Sequence, residues 1–151
     1  MMVHTLFFGE LQVEDANVIT FAQGIPGFED LTTFTLVQPD NSVPFSYMQS
    51  IQDGELAFLV TDPFLFFKDY DFSLPDAALQ ELKIAQREDV QVWSVVTVND
   101  DYSKITVNLL APIILNLTSK LAKQIILHDS GYHVKHELIL SELDESTHVK
   151  G

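Results

Sequence analysis

The stretch VQVWSVVTV, from Val90 to Val98, decides the class of fold in this sequence. Its β-branched and aromatic residues fit a pleated sheet, and nine residues make a long strand. Asn99-Asp100-Asp101 follows as a turn, and a second β-pattern returns from Lys104 to Leu110. The two segments therefore predict an antiparallel pair at the centre of a β-rich fold.

Shorter strands are predicted on both sides of this pair, separated by scattered Gly and Pro. They are Val18 to Phe21, Phe34 to Val37, Phe45 to Ile51, the strand beginning at Leu56 to Val60 after the Asp53-Gly54 turn, Ile113 to Asn116 and Lys123 to His128. Pro112 interrupts the ladder and predicts a bulge, corner or edge. One short helix is expected near residues 75–84, opened by Pro75 and Asp76. The pattern predicts an all-β, mainly antiparallel, compact β-barrel-like domain, with a sandwich as the alternative arrangement.

The length of 151 residues predicts one domain, over residues 1–140, followed by an acidic and flexible tail at 141–151. No run approaches the roughly 18–20 apolar residues of a membrane-spanning helix. Met1 to His4 contains no Lys or Arg, which argues against a secretory signal. The chain has no Cys, so its redox compartment cannot be inferred from thiols.

The charge is unevenly distributed as well as large, with a formal net charge of −14. Before Pro75 the only Lys or Arg is Lys68, against eleven acidic residues: Glu10, Glu14, Asp15, Glu29, Asp30, Asp40, Asp53, Glu55, Asp62, Asp69 and Asp71. Nucleic acids and anionic membranes both require basic residues, so neither is an expected partner. A negative field attracts basic proteins; the alternative is that the charge serves only solubility. Self-repulsion also favours a monomer.

Catalytic, cofactor and metal signatures are weak or missing. The sequence has no phosphate-binding glycine motif and no nucleophile elbow, and a thiol nucleophile is excluded. Gly24 to Gly27 is interpreted as a tight turn between strands. Paired carboxylates such as Asp100-Asp101 fall in predicted loops, and His128, His133 and His136 are interpreted as solvated turn residues, because their spacing does not suit zinc. We therefore expect no enzyme activity, no cofactor and no metal.

The aromatic residues are the more informative signal, because all eleven Phe lie between Phe7 and Phe72. They are densest in residues 62–72, DPFLFFKDYDF, where a Pro directly after Asp62 disfavours a central strand. Aromatic rings interleaved with carboxylates in a loop suit a protein-docking surface. The alternative is that Phe64, Phe66 and Phe72 simply fill the core. On either interpretation, at least one of Phe67 and Tyr70 should be partly exposed.

Three ordered stretches resemble the flagellar assembly factor FliW family, over nearly the whole chain from about Phe7 to Leu138. They are F-x-x-GIPGFE at residues 21–29, FLV-x-DP at 58–63 running on to the LPD helix start at 74–76, and VNLLAPII at 107–114 followed by KQIIL at 123–127 and Y-x-x-KH at 132–136. The departures are small: Lys135 stands where Arg is expected, and Glu137 where the family often has Pro.

The resemblance implies a compact β-barrel-like fold and a non-enzymatic role in the bacterial cytoplasm. Family members bind flagellin, and when free they bind CsrA, a small dimeric RNA-binding protein that represses translation of flagellin mRNA. Flagellin and CsrA compete for the factor, so export of flagellin would relieve repression. The family is described as inhibiting CsrA non-competitively with RNA; from the residues alone, direct mimicry of RNA phosphates by Asp69 and Asp71 stays open.

The predicted partner-binding residues lie in the aromatic–acidic segment and in the VNLLAPII stretch: Asp62, Pro63, Phe64, Phe67, Asp69, Tyr70 and Asp71, with Asn108 and Pro112 as second choices. Asn108 could instead cap a turn, and Pro112 could mark a corner. The alternative function is a small barrel that holds an apolar ligand in a cavity lined by Phe side chains.

Overall fold

The computed structural model describes residues 1–38, 43–100 and 103–138, and within them the chain forms eleven strands and one α-helix. The strands are β1 (Met2–Thr5), β2 (Gly9–Gln12), β3 (Ile19–Phe21), β4 (Thr33–Val37), β5 (Phe45–Ser50), β6 (Ala57–Thr61), β7 (Val90–Val98), β8 (Ile105–Val107), β9 (Ile113–Asn116), β10 (Leu121–Gln124) and β11 (His136–Leu138). The helix α1 is Asp76–Glu81, and 3₁₀ turns occupy Asp15–Asn17, Pro63–Leu65 and Arg87–Asp89. The all-β, mainly antiparallel expectation is confirmed.

The sheet closes on itself through β7, the nine-residue strand Val90–Val98. The first half of β7 pairs with β9, from Val90 opposite Asn116 onward. Its middle pairs with β6, and its last residues pair with β8. Pairing continues from β6 through β5, β4 and β3, and a parallel pair of β3 with β10 leads back to β9. The result is a closed barrel of seven strands, from which β8 and β11 extend as a wing beside β7.

Alternation along the strands divides the hydrophobic residues between two cores. One core is the barrel interior, to which every barrel strand contributes; it contains Phe21, Phe34 and Met48, all completely buried. The second core lies on the outer face of β7, β8 and β9, beneath α1 and residues 62–74. In β9, Ile113 and Leu115 face the first core while Ile114 faces the second. A strand buried on both faces has no polar alternation, which explains the continuous apolar run in this part of the sequence.

Helix α1 is shorter than predicted, because Lys83 adopts a left-handed conformation with φ of 56° and ends it. A buried side chain, Asn116, then ties this end of the helix to the barrel. Its amide nitrogen donates to the carbonyl oxygens of Leu82 (2.8 Å) and Lys83 (3.1 Å). The helix therefore sits at a fixed position over the second core.

Two predicted strands are shorter than expected by two residues or more, and three strands were not predicted. The strand predicted for residues 104–110 stops at Val107, because the chain turns at Asn108. The strand predicted for 123–128 is β10, which covers Leu121–Gln124. After β10, the backbone N–H groups of Ile125 and Leu127 each donate one hydrogen bond, to the carbonyls of Pro112 and Leu110, without forming a regular ladder. The unpredicted elements are the β1–β2 hairpin and β11. The predicted tail at 141–151 lies outside the described residues.

Candidate functional site

The aromatic–acidic segment, residues 62–72, leaves the barrel directly after β6. The carboxylate of Asp62 accepts a hydrogen bond of 2.9 Å from the backbone N–H of Phe64 and so begins the 3₁₀ turn Pro63–Leu65. Pro63 is buried beneath this turn. The turn directs its next two side chains outward, leaving Phe64 42% exposed and Leu65 50% exposed. A proline that stops the strand thus produces a fixed apolar projection.

Tyr70 anchors this segment to the second core, because its side chain is only 5% exposed. Its hydroxyl donates a hydrogen bond of 2.7 Å to the backbone carbonyl of Leu109, which is also buried. Its ring packs against Phe64, Phe72 and Tyr132, with centroid distances of 5.6, 5.2 and 4.8 Å. Burial of the hydroxyl raises the pKa of Tyr70 well above its usual value of 10. Tyr70 is therefore placed to hold Phe64 in position and not to touch a partner itself.

A second group of rings, from residues 132–136 up to the first residue of β11, completes the support. The Tyr132 hydroxyl lies 3.1 Å from the backbone N–H of Asp71, which donates to it, and 3.3 Å from the Asp71 carbonyl oxygen. His136 packs edge-on against Phe67 at a centroid distance of 6.0 Å, and its Nε2 accepts a hydrogen bond from the backbone N–H of His133. Burial, with a smaller contribution from His133, lowers the pKa of His136. A neutral imidazole is required for this hydrogen bond, since a protonated ring has no acceptor.

Asn108 and Pro112, the second-choice site residues, have structural positions behind the segment. The Asn108 side-chain oxygen accepts hydrogen bonds from the backbone N–H groups of Leu110 (3.1 Å) and Ala111 (3.0 Å), so the alternative role of turn capping is confirmed. Pro112 is buried where β9 begins, and its carbonyl oxygen accepts from Ile125. Asn108 therefore caps the turn that contains Leu109, the acceptor for Tyr70.

The predicted site residues thus come together, with different degrees of access. Phe64, Asp69 and Asp71 are exposed, Phe67 and Asp62 are partly exposed, and Pro63, Tyr70 and Pro112 are buried. The expectation that one of Phe67 and Tyr70 would be partly exposed is confirmed by Phe67. Leu65, Tyr132 and His136 also form part of this cluster but were not among the predicted residues. The interpretation of His136 as a solvated turn residue is wrong, because it begins β11, is partly buried and packs on Phe67. The Y-x-x-KH stretch was the available signal for the last two.

The barrel interior is filled by side chains, which bears on the ligand-binding alternative. Phe21 and Phe34 pack edge-on at a centroid distance of 5.2 Å and are both completely buried. Two surface pockets have volumes of about 300 and 360 Å³, and no Phe lines either of them. Inside the barrel, Phe21 and Phe34 pack on each other and on the surrounding core side chains.

Two absences hold for the part of the chain that the structure describes. No group of three His, Asp or Glu side chains there could hold a metal ion. No helix in residues 1–38, 43–100 and 103–138 is long and apolar enough to span a membrane.

The fold and this surface define a closed β-barrel protein that carries, outside a filled barrel, an anchored aromatic projection bordered by carboxylates. The chain belongs to the FliW protein family, whose model matches residues 2–138. It is similar to the flagellar assembly factor FliW of Ruminiclostridium cellulolyticum, at 42% identity over 96% of this chain and 98% of that protein. The FliW of Bacillus subtilis is 39% identical over 91% of this chain and 96% of its own length.

A solved structure has the same fold as this chain. The crystal structure of a flagellar assembly factor FliW superposes with a TM-score of 0.86 and 34% identity, covering 92% of this chain and 97% of that one. The family resemblance noted in the sequence is confirmed, and the chain is a flagellar assembly factor by family membership.

Proposed function

We propose that this protein binds flagellin in the cytoplasm and, when flagellin is exported, binds CsrA and relieves its repression of flagellin mRNA translation. The protein acts as a monomeric binding partner and not as an enzyme. Because flagellin and CsrA compete for it, the fraction of protein free to bind CsrA reports how much flagellin is in the cell.

The observation that carries this proposal is the aromatic–acidic segment. Phe64 and Leu65 are exposed on a turn held by a buried anchor, so little conformational entropy is lost when a partner covers them. Asp69 and Asp71 lie close by in sequence, and both are exposed. An exposed aromatic anchor in a segment whose carboxylates outnumber its single cation, Lys68, suits a basic protein partner.

Co-purification tests the partner switch. Tagged protein is incubated with purified CsrA, with purified flagellin, and with both together. The proposal expects a complex with each alone and, in the mixture, loss of CsrA as flagellin is added. If the tagged protein fails to retain CsrA, or fails to retain flagellin, the proposed function is refuted.

The mode of inhibition is tested by RNA titration. A CsrA-binding RNA is titrated against CsrA at several fixed concentrations of this protein. Non-competitive inhibition lowers the maximal amount of RNA bound, whereas mimicry of RNA phosphates by Asp69 and Asp71 would be fully reversed by excess RNA. Full reversal would exclude the non-competitive mechanism.

Charge and apolar substitutions test the segment itself. Phe64→Ser and Asp71→Lys should each weaken CsrA or flagellin binding about tenfold, the order expected for an interface hot spot. Glu88→Lys and Ile126→Ser are matched controls, because Glu88 and Ile126 are exposed on other parts of the chain. Equal binding by all four variants would rule out the segment as a contact surface.

A further inference from the structure

The β1–β2 hairpin carries the most exposed large hydrophobic residues of the described chain at its tip. Leu6 is 65% exposed and Phe7 is 59% exposed. Single exposed apolar residues are common in monomeric proteins and need no explanation. Two adjacent exposed apolar residues indicate a binding surface when the turn that carries them is held rigidly and borders further apolar surface.

The tip is held in place by hydrogen bonds and by a close approach to the barrel. The Thr5 hydroxyl donates to the Gly9 carbonyl at 2.8 Å, and the backbone N–H of Leu6 donates to the Gly54 carbonyl at 2.9 Å. A Cβ atom added at Gly54 would lie 1.8 Å from the carbonyl oxygen of His4, so the hairpin and the β5–β6 turn are in direct contact. A surface ordered before binding loses less conformational entropy when a partner covers it.

The tip continues into a row of aromatic side chains along the outer face of β5. Phe7 stacks on Tyr47 at a centroid distance of 6.5 Å, and Phe8 packs edge-on against the same ring at 5.2 Å. Phe45 precedes Tyr47 by two residues and so lies on the same face. Phe45 in turn stacks on Phe66 of the aromatic–acidic segment at 6.1 Å. The hairpin tip and the segment are therefore two ends of one aromatic row.

Carboxylates surround the hairpin end of this row, whereas the exposed Lys68 lies two residues after Phe66 at its other end. Glu10 follows the tip on β2, and Asp53 and Glu55 flank the Gly54 contact; all three are exposed. Glu10 has a 3.6 Å contact with His4 Nδ1, and no Lys or Arg precedes Lys68 in the sequence. An apolar row bordered by carboxylates is complementary to a segment that combines aliphatic side chains with Lys or Arg.

We propose that the aromatic row, from Leu6 and Phe7 across Tyr47 and Phe45 to Phe66, is a continuous docking surface for a basic segment of the RNA-binding partner. This inference rests on the proposed function for the identity of that partner. It extends the contact surface from the aromatic–acidic segment to the far end of the row. The hairpin, which no sequence motif indicated, then becomes part of the binding surface.

The affinity of purified CsrA is measured by calorimetry for the full chain and for two variants. The Leu6→Ser/Phe7→Ser double variant should bind at least tenfold more weakly. Ile126→Ser, a matched control at a 54% exposed residue, should bind within twofold of the unchanged protein. Circular dichroism and thermal melting establish that each variant is folded.

A second pair of variants tests the charge and does not depend on the hairpin's packing. Glu55→Lys should lower the association rate several-fold and reduce its dependence on salt, because attraction between separated charges is screened by ions. Glu88→Lys makes the same change of charge at an exposed residue of the Arg87–Asp89 turn, which contributes no residue to the row, and should leave the association rate unchanged.

The outcomes separate the two proposals. If the unchanged protein does not bind CsrA, the proposed function fails. If it binds, and the hairpin double variant and Glu55→Lys both bind as tightly and as fast as their controls, only the docking surface is refuted. If the hairpin double variant loses flagellin binding but retains CsrA binding, the row binds flagellin, and the proposal that it binds the RNA-binding partner is wrong.

Discussion

Replacing Tyr70 by Phe removes one oxygen atom and isolates the anchor of the aromatic–acidic segment. The hydroxyl makes a 2.7 Å hydrogen bond to the Leu109 carbonyl, and both residues are buried. Without the hydroxyl, that carbonyl loses its partner in a place from which water is excluded. A buried acceptor left without a hydrogen bond costs about 1–3 kcal/mol. For a chain of this length, a loss of about 2 kcal/mol corresponds to a Tm roughly 4–8 °C lower.

Urea denaturation followed by the fluorescence of Trp93, the only Trp and a core residue, measures this free energy. Tyr132→Phe is the matched control, because its hydroxyl also bonds to backbone but at an exposed position. It should cost less than about 1 kcal/mol, since water can replace the lost bonds. A Tyr70→Phe variant as stable as the unchanged protein would refute the anchoring role.

The raised pKa of Tyr70 adds a second signature to the same variant. Above about pH 10 the tyrosine of the unfolded chain loses its proton while the buried one keeps it, so the unfolded state binds fewer protons. The contribution of Tyr70 to the free energy of unfolding is therefore complete below pH 10 and declines as the pH rises above it. Tyr70→Phe should remove this part of the alkaline decline.

Three further predictions test other parts of the fold. In urea denaturation, Gly24→Ala should lower the free energy of unfolding by roughly 1–3 kcal/mol more than Gly27→Ala. Both glycines have positive φ, but only at Gly24 would an added Cβ lie 2.6 Å from the backbone of Glu29. Equal losses of stability in the two variants would contradict this clash. By the same assay, Asn116→Ala should lower the free energy of unfolding by about 2–4 kcal/mol. The variant loses the two hydrogen bonds that the Asn116 side chain makes to the carbonyls of Leu82 and Lys83 at the end of α1. A loss below about 1 kcal/mol would contradict this role of Asn116. The lowered pKa of His136 means that the unfolded state takes up a proton first as the pH falls through about 6.5, so the free energy of unfolding should decline there and level off below the folded-state pKa. Asn in place of His136 should flatten this decline in stability measured between pH 5 and 8, and an unchanged pH profile would exclude His136 as its source.

The parts of the fold that could be predicted from the sequence are those with strong local signals. The bounds of β7 and β9 were predicted correctly, because long β-branched or apolar runs between turn residues are typical of buried strands. The hairpin was missed because Met2–Thr5 and Gly9–Gln12 alternate weakly and are held by a contact with Gly54, far along the chain. Such tertiary contacts override local propensity and leave no periodic pattern.

The candidate site was predictable as a segment but not as a set of accessible side chains. Composition located residues 62–72, where aromatic and acidic residues alternate. It could not separate Phe64, which projects into solvent, from Tyr70, which is buried, because the acceptor for Tyr70 lies 39 residues further along. The same limit applies to His136, whose partner ring Phe67 comes from a distant segment.

The parallel pairing of β3 with β10 sets the order of events during synthesis. Thr20 and Leu121 are partners in this pair, 101 residues apart (121 minus 20). At roughly 5–20 residues per second, the ribosome needs about 5–20 s between these two residues. All eleven Phe are made before Leu121, on a chain whose only Lys or Arg before Pro75 is Lys68, so they are present before β3 can gain its parallel partner. Repulsion between such acidic chains disfavours their association during this interval, before the barrel can close.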